Sequence, residues 1–405
     1  MRVLVINSGS SSIKFSLLEA GRKSIETRYE GAVTGIGSGK PEFRFREAEG
    51  KDLIGDVSGA VKAGDTAEAI ELVVGAVTGA GRPSVDAVGY RVVHPGAKLD
   101  RNTKITDEVM IDLAGSVEFS PLHAPGALEV IRTMRARFTG VEHYACFDTV
   151  FHSTMGTEAT TYALPAEVRE RGVRRYGFHG LSCESVVRQM RGAADRGEFR
   201  FPKRMVITHL GSGCSVTAVV EGRSVDTTMG LTPTGGVVMG TRPGDLDPGV
   251  VLYMLRQQSG EKDAAVSAVE VALNQASGMV GLTGIPNDMK MVREAAWRGD
   301  ARASLALKVF TRSIRKVIGG YAWLMGGLDA IVFAGGIGEH DSASRAEILG
   351  GLERVGVELD GKLNGKRGGG MFRVNGEGSE VGVFVVPADE DQVIALHVVE
   401  LAASK

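Results

Sequence analysis

Twice in this chain an apolar run meets a small polar tip and then resumes as a second apolar run. The first copy is Arg2-Val3-Leu4-Val5-Ile6, then Asn7-Ser8-Gly9-Ser10-Ser11-Ser12, then Ile13-Lys14-Phe15-Ser16-Leu17-Leu18. The second is Met205-Val206-Ile207-Thr208-His209-Leu210, then Gly211-Ser212-Gly213, then Cys214-Ser215-Val216-Thr217-Ala218-Val219-Val220. Short β-branched runs mark buried strands, so each copy predicts a hairpin. Tips of Ser and Gly expose backbone N–H groups and hydroxyls, the donors that phosphate oxygens accept from. Either tip alone could equally be an ordinary polar turn. Two copies about 200 residues apart, half the chain, point instead to two related domains, each offering one loop to a shared cleft.

A chain of 405 residues favours two domains over one. Its 47 basic and 49 acidic side chains give a net charge of −2, which offers no electrostatic argument for a nucleic-acid or membrane-surface partner. The 56 glycines fall in short clusters between apolar runs and read as turns. Cys146, Cys183 and Cys214 are too few and too scattered for a zinc site or a disulfide framework. Met1-Arg2 leads straight into a strand, without the pattern of a secretory signal. No apolar run approaches the ~18 residues of a membrane span. The expectation is a soluble, cytoplasmic protein.

The rest of the chain alternates strands and helices. A helix is expected over Thr66 to Val77, capped by Asp65. The strand Asp86 to Val92 runs into His94-Pro95-Gly96 and places Arg91, Val93 and His94 near its end, where α/β folds put their sites. An arginine there is costly to bury unpaired, so it meets either an anion or a structural carboxylate. Further helices are expected from Thr106-Asp107 to Ala114 and from Gly126 to Phe138. The strand from Tyr144 ends in Asp148. That carboxylate could act as a base, position a metal or nucleophile, or cap the next turn. Arg174, Arg175, Tyr176, Phe178 and His179 form a Gly-flanked stretch that resembles a site edge, although a lone histidine is more often structural.

From Asp226 to Pro248 the chain is irregular. A loop of that length holding apolar, Arg and Asp residues together favours function. Asp247-Pro248 opens a helix that Gly260 closes, and another helix spans 263–277. Asp300 caps a long helix whose Leu307, Phe310, Ile314, Val317, Tyr321 and Leu324 predict a buried face. Asp329 to Ala334 is a strand leading to a Gly-rich turn, Gly335-Gly336-Ile337-Gly338-Glu339, that a nucleotide can approach. After a last strand, Val383 to Pro387, the acids Asp389, Glu390 and Asp391 open a terminal helix. They suit its dipole, and Glu390 could also contact Mg²⁺.

In order and spacing, these segments resemble the acetate kinase family over nearly the whole chain. The matching pieces are Val5-Ile6-Asn7-Ser8-Gly9-Ser10-Ser11-Ser12-Ile13-Lys14, Tyr90-Arg91-Val92-Val93-His94, Phe147-Asp148-Thr149-Val150-Phe151-His152 and Arg175-Tyr176-Gly177-Phe178-His179-Gly180. They continue with His209-Leu210-Gly211-Ser212-Gly213, Met239-Gly240-Thr241-Arg242-Pro243-Gly244-Asp245-Leu246-Asp247-Pro248 and Gly335-Gly336-Ile337-Gly338-Glu339. The resemblance implies short-chain carboxylate kinases of the actin/sugar-kinase/Hsp70 ATPase fold. Their domains are duplicated, actin-like or ribonuclease H-like, with mixed sheets flanked by helices and the active site in the interdomain cleft. It divides the chain into residues 1–150 plus 385–405 and a nucleotide-binding domain of residues 151–384.

The implied reaction is ATP + acetate ⇌ ADP + acetyl phosphate with Mg²⁺, or with Mn²⁺ in its place. Asn7 and Glu390 would lie near the metal, and Ser10, Ser12 and Lys14 around the first phosphate loop. Arg91 and Arg242 would bind the carboxylate and the transferring phosphoryl group, Asp148 would help place metal or acetate, and His179 would bond the equatorial oxygens. Val93, Leu122, Phe178 and Pro233 would line the acyl pocket. His209, Gly211, Ser212 and Gly213, with Asp288, Met289 and Lys290, would meet the phosphates and nucleotide, and Gly335 to Glu339 the adenosine. The family also implies a homodimer.

The sequence departs from the family pattern at several places. Ser212 stands where the family has Asn, and Asn287-Asp288-Met289-Lys290 where it has Ser-Asp-Phe/Met-Arg. His340, Cys183 and Ala124 replace Asn, His and Asn. Several of these lie on the nucleotide side, so the donor is less secure than the acid. Alternatives are a propionate or butyrate kinase, a kinase using pyrophosphate, and a catalytically weakened nucleotide or carboxylate sensor. A sugar kinase is disfavoured, because it would need a base for a hydroxyl and would leave the arginine pair without a carboxylate.

Overall fold

The computed structural model describes residues 1–9, 11–21, 24–47, 59–79, 81–119, 124–258 and 261–404. Ser10, Leu122 and Gly260 lie outside the described residues. The chain divides into two compact units, Met1–Val150 with Asp389–Lys405, and Phe151–Ala388.

The first unit is built on β1 (Arg2–Ser8) and β2 (Ser12–Ala20), an antiparallel hairpin. The polar tip expected from Asn7 to Ser12 is shorter than that. The ladder continues through Asn7↔Lys14 and Ser8↔Ile13, because strand pairing uses backbone groups that every residue carries. On its other edge β1 pairs in parallel with β6 (Ala87–Val92), as far as Asn7↔Arg91. β3 (Ile25–Thr34), β4 (Glu42–Glu47) and β5 (Gly59–Ala60) extend the antiparallel side. β8 (Glu142–Phe147) and the short β7 (Thr103–Lys104) complete the order β5-β4-β3-β2-β1-β6-β8-β7.

Helices cover both faces of this sheet. Asp65 caps α1 (Thr66–Thr78), accepting from Glu68 N at 2.8 Å. Thr106 caps α2 (Asp107–Ala114). α3 spans Ala124–Arg137. It starts two residues before the expected Gly126, since Pro125 is tolerated in a first turn. Ile70 and Val73 of α1 and Leu128, Ile131 and Met134 of α3 share one core with Leu4, Ile6 and Phe15. The terminal helix α15 (Glu390–Ala403) lies against β1, β2 and β6. Val3, Leu4, Val5 and Ile6 are therefore all buried, as an unbroken apolar run requires of a strand covered on both faces.

The second unit begins with short helices, α4 (Thr157–Thr160) and α5 (Ala166–Arg169), and then α6 (Gly180–Asp195). Its sheet contains β9 (Arg204–Leu210), β10 (Cys214–Val220), β11 (Arg223–Thr227), β12 (Ala330–Ala334), β13 (Phe372–Arg373) and β14 (Gly382–Val385), in the order β11-β10-β9-β12-β14-β13. Between β11 and β12 lie α7 (Pro248–Gln257), α8 (Lys262–Gln275), α9 (Gly278–Thr283), α10 (Met289–Trp297) and α11 (Ala301–Leu324). After β12 come α12 (Gly335–His340), α13 (Ser342–Leu349) and α14 (Gly361–Asn364). Cys183, Val186 and Met190 of α6 pack on Met205, Ile207 and Val332.

Two expectations change here. Gly335 to Glu339 is the helix α12 rather than a turn; Gly338 lies against Phe333, and such packing outweighs glycine's poor helix propensity. The buried stripe of α11 runs through Leu307, Phe310, Ile314 and Ile318 and then stops. Tyr321 is only partly buried, Leu324 is 60% exposed and Trp323 is 91% exposed.

Candidate active site

In the first unit the polar residues singled out by sequence gather at the ends of adjacent strands. Parallel pairing sets Asn7 beside Arg91 and Arg91 beside Cys146, so the chain leaving β8 brings Asp148 to Arg91. Arg91 Nε donates to Asp148 Oδ1 at 3.1 Å and Nη2 to Oδ2 at 2.5 Å, the two-pronged contact that a planar guanidinium favours. Arg91 Nη1 donates to Asn7 Oδ1 at 3.2 Å, and Glu390 Oε2 lies 3.4 Å from Nε. Burial works against the Arg91 charge, but Asp148, Glu390 and Asp391 outweigh it and raise its pKa. Arg91 is thus a permanent cation in a fixed orientation. Of the two readings left open for it, the structural carboxylate is observed in Asp148, and two of its five N–H groups make no hydrogen bond among the described residues.

A cavity of about 120 Å³ lies beside Arg91, lined by Val93, His94, Leu113, Leu128 and Ile131. Next to Glu390, Asp391 is half-buried and accepts from Ser16 Oγ at 2.5 Å; loss of solvation pushes its carboxyl up to about 6. Ser12 is half-buried and Lys14 exposed on β2, opposite Asn7 in the hairpin register.

Asn7, Asp148 and Glu390 present hard oxygens, and Arg91 with the two carboxylates sums to −1. Among the described residues, no three His, Cys, Asp or Glu side chains gather as a metal cluster. The fit to Mg²⁺ rests on the oxygens of Asn7, Asp148 and Glu390, since Mg²⁺ takes one or two protein carboxylates and keeps waters and substrate phosphates as its other ligands.

In the second unit His179 precedes α6 with φ 59°, the left-handed region. Its Nδ1 lies 3.0 Å from Ser215 Oγ on β10. The ring stacks on His209 at 4.1 Å between centroids, and His209 Nδ1 meets Ser182 Oγ at 2.7 Å. The second hairpin tip closes this group: a Cβ on Gly213 would stand 3.3 Å from both Arg242 Nη1 and His179 Nε2. Hydrogen there lets the loop backbone approach both side chains without displacing either. Arg242 Nη1 also donates to Pro233 O at 3.0 Å. Phe178 and Pro233 are buried.

Around the tip, Asn287 Nδ2 donates to Ser212 Oγ at 2.7 Å and Gly240 N to Ser212 O at 3.2 Å. Asp288 caps α10 by accepting from Lys290 N and Met291 N, and Lys290 itself is exposed. α12 is held by the buried Arg345, which donates to Gly338 O, Glu339 O and Asn364. Burial raises the Cys214 thiol to about 12, so it is no nucleophile at neutral pH. Sequence reasoning missed Ser182, Ser215 and Arg345. Ser182 follows His179 by three residues, one helical turn, and Ser215 follows Gly213 by two; those spacings were the available signals.

No helix among the described residues is long and apolar enough to cross a membrane. The family model described as "Acetokinase family" matches residues 2–396. An acetate kinase from Shouchella clausii is 38% identical over 410 residues, covering 99% of this chain and 100% of that protein. The crystal structure of Porphyromonas gingivalis acetate kinase superposes with a TM-score of 0.85 at 32% identity, covering 99% of both chains. A propionate kinase from Francisella tularensis gives 0.87 at 32% identity, covering 98% of both.

Proposed function

The chain belongs to the acetokinase family, and from that premise we propose that it transfers a phosphoryl group from ATP to acetate, reversibly and with Mg²⁺, giving acetyl phosphate and ADP. The observation that carries the reading is Arg91, a cation oriented by Asp148 and Asn7 that lines a small cavity of mixed polar and apolar walls. Acetate is an anion at neutral pH, since its pKa is that of a side-chain carboxyl. No base is needed to activate it. The step demands alignment and charge neutralisation.

In this reading Arg91 binds the carboxylate and Val93, Leu122, Phe178 and Pro233 enclose the acyl group. Arg242 and His179 hold the equatorial oxygens of the transferring phosphoryl group. Ser215, through His179 Nδ1, keeps that ring in one orientation. Ser10, Ser12, Lys14, His209 and the 211–213 tip take phosphates; Asp288, Met289, Lys290 and α12 take the nucleoside. Asn7 and Glu390 would hold Mg²⁺, with Asp148 beside them; the ion, when bound, offsets phosphate charge. A propionate kinase among the similar structures keeps propionate as the second acid to test.

The test is a hydroxamate assay for acyl phosphate. It crosses acetate, propionate and butyrate with ATP, GTP and pyrophosphate. Acetate with ATP should give the most product, and Arg91→Ala and Arg242→Ala should each lose about 100-fold or more in kcat, the scale of losing one transition-state contact. Product from pyrophosphate alone overturns the donor. No product from any pair, with nucleotide still bound, overturns the kinase and leaves the sensor.

A further inference from the structure

His152 takes no part in the reaction as described, yet its surroundings are tightly specified. It is 1% exposed. Its Nε2 lies 3.0 Å from the carbonyl oxygen of Phe178, and its Nδ1 lies 2.9 Å from Ser224 Oγ on β11. A carbonyl can only accept, so Nε2 carries the proton and Nδ1 receives the serine hydroxyl. Burial holds the imidazole well below its usual pKa, at about 4, so this neutral form persists through the working pH range.

The bond to Phe178 falls on an unusual piece of backbone. Gly177 has φ 78° and His179 has φ 59°. Two left-handed residues thus flank Phe178, and one of them is not glycine. Such a conformation is strained for a residue with a Cβ and persists only when its surroundings enforce it. Gly177 is hemmed in by Thr227 and the His152 ring: a Cβ there would come within 2.5 Å of Thr227 Cγ2, 2.7 Å of His152 Cδ2 and 2.8 Å of His152 Cγ. Arg175 N donates to Thr160 O, and Tyr176 N and Gly177 N both donate to Gly230 O. His152 supplies the contact at the next carbonyl, that of Phe178.

We infer that His152 is a positioning residue for His179: its Nε2–H···O=C bond to Phe178 locks the left-handed turn that aims the catalytic imidazole. The inference rests on the proposed role of His179, and the variants separate the two. Wild type, His152→Phe, His152→Asn, His152→Gln and His179→Ala are assayed for kcat and KM. The double variants with His179→Ala are assayed alongside. Phe fills the site without a donor. Asn reaches Ser224 but falls short of Phe178. Gln carries an N–H to about the place of Nε2.

His152→Phe and His152→Asn should lose about 10- to 100-fold in kcat, the range expected of a misaligned reacting group, with both KM values within about threefold. Gln should recover most of that loss. In the His179→Ala background, His152→Phe should cost less than about twofold more, because a group that acts through His179 has nothing left to position. Three results overturn the inference: a full loss repeated in the His179→Ala background, a loss confined to KM, or a Gln variant no better than Asn. Wild-type kcat in His179→Ala alone overturns the role of His179, and with it what His152 positions.

Discussion

At the scale of single residues, the same His152 makes acid stability a measurable quantity. Its folded pKa, about 4, lies below the usual value near 6.5. Between those values the unfolded chain binds the proton and the folded chain does not, so stability falls as pH falls from about 6.5 and the loss is complete below about 4. From pH 7 to pH 5 this one group should cost about 2 kcal/mol. Urea denaturation of wild type and His152→Gln at the two pH values measures it. The variant should lose about 2 kcal/mol less than wild type over that interval. Equal losses would place the acid sensitivity elsewhere. None of this was legible in the sequence, where a histidine after Phe151 has no periodic partner. Its bonds reach Phe178 and Ser224, which are 26 and 72 positions away. Arg91 and Asp148, by contrast, were legible, because strand ends in an α/β pattern announce where a site collects.

At the scale of elements, both hairpins were read correctly as hairpins, the second with its tip at 211–213 and the first mistaken at its margin. Polarity suggested that β1 ended at Ile6, yet the ladder extends to Ser8. The glycines after β12 suggested a turn, yet the backbone continues into α12. Each error has one cause: local composition reports side-chain preference, while pairing and packing with distant segments decide the backbone. The departures of the second tip take on meaning at this scale too. Ser212 and Asn287 stand where the family pattern has Asn and Ser, and they bond each other at 2.7 Å. They read as one exchange that keeps the tie between the β9–β10 tip and the start of α10. Ser212→Asn alone should crowd two amides together and raise the KM for ATP about tenfold, the scale of a directly coupled pair. The double variant Ser212→Asn/Asn287→Ser should return to within about twofold of wild type. Losses that multiply would show that the two changes are independent.

At the scale of the whole molecule, each sheet sets an antiparallel hairpin beside two parallel strands, β2-β1-β6-β8 in one unit and β10-β9-β12-β14 in the other. That duplication was visible as two hairpins about 200 residues apart. Assembly was not visible, because surface residues carry no period that names a partner. The second unit nevertheless exposes more large apolar side chains than an isolated surface needs: Leu252 and Tyr253 on α7, Met291 and Trp297 on α10, Trp323 and Leu324 on α11. Large exposed apolar side chains, tryptophan above all, are enriched at interfaces. The chain has only two tryptophans, Trp297 at 88% and Trp323 at 91% exposure, so intrinsic fluorescence reads these helices alone. If the family's homodimer forms through them, emission at micromolar protein should be blue-shifted and poorly quenched by acrylamide. It should move to the red on dilution, in step with a fall from twice the chain mass to the chain mass by sedimentation. Full quenching at every concentration alongside a dimer mass would put the interface on another face. Full quenching with a monomer mass would leave the exposed helices without a partner of their own kind.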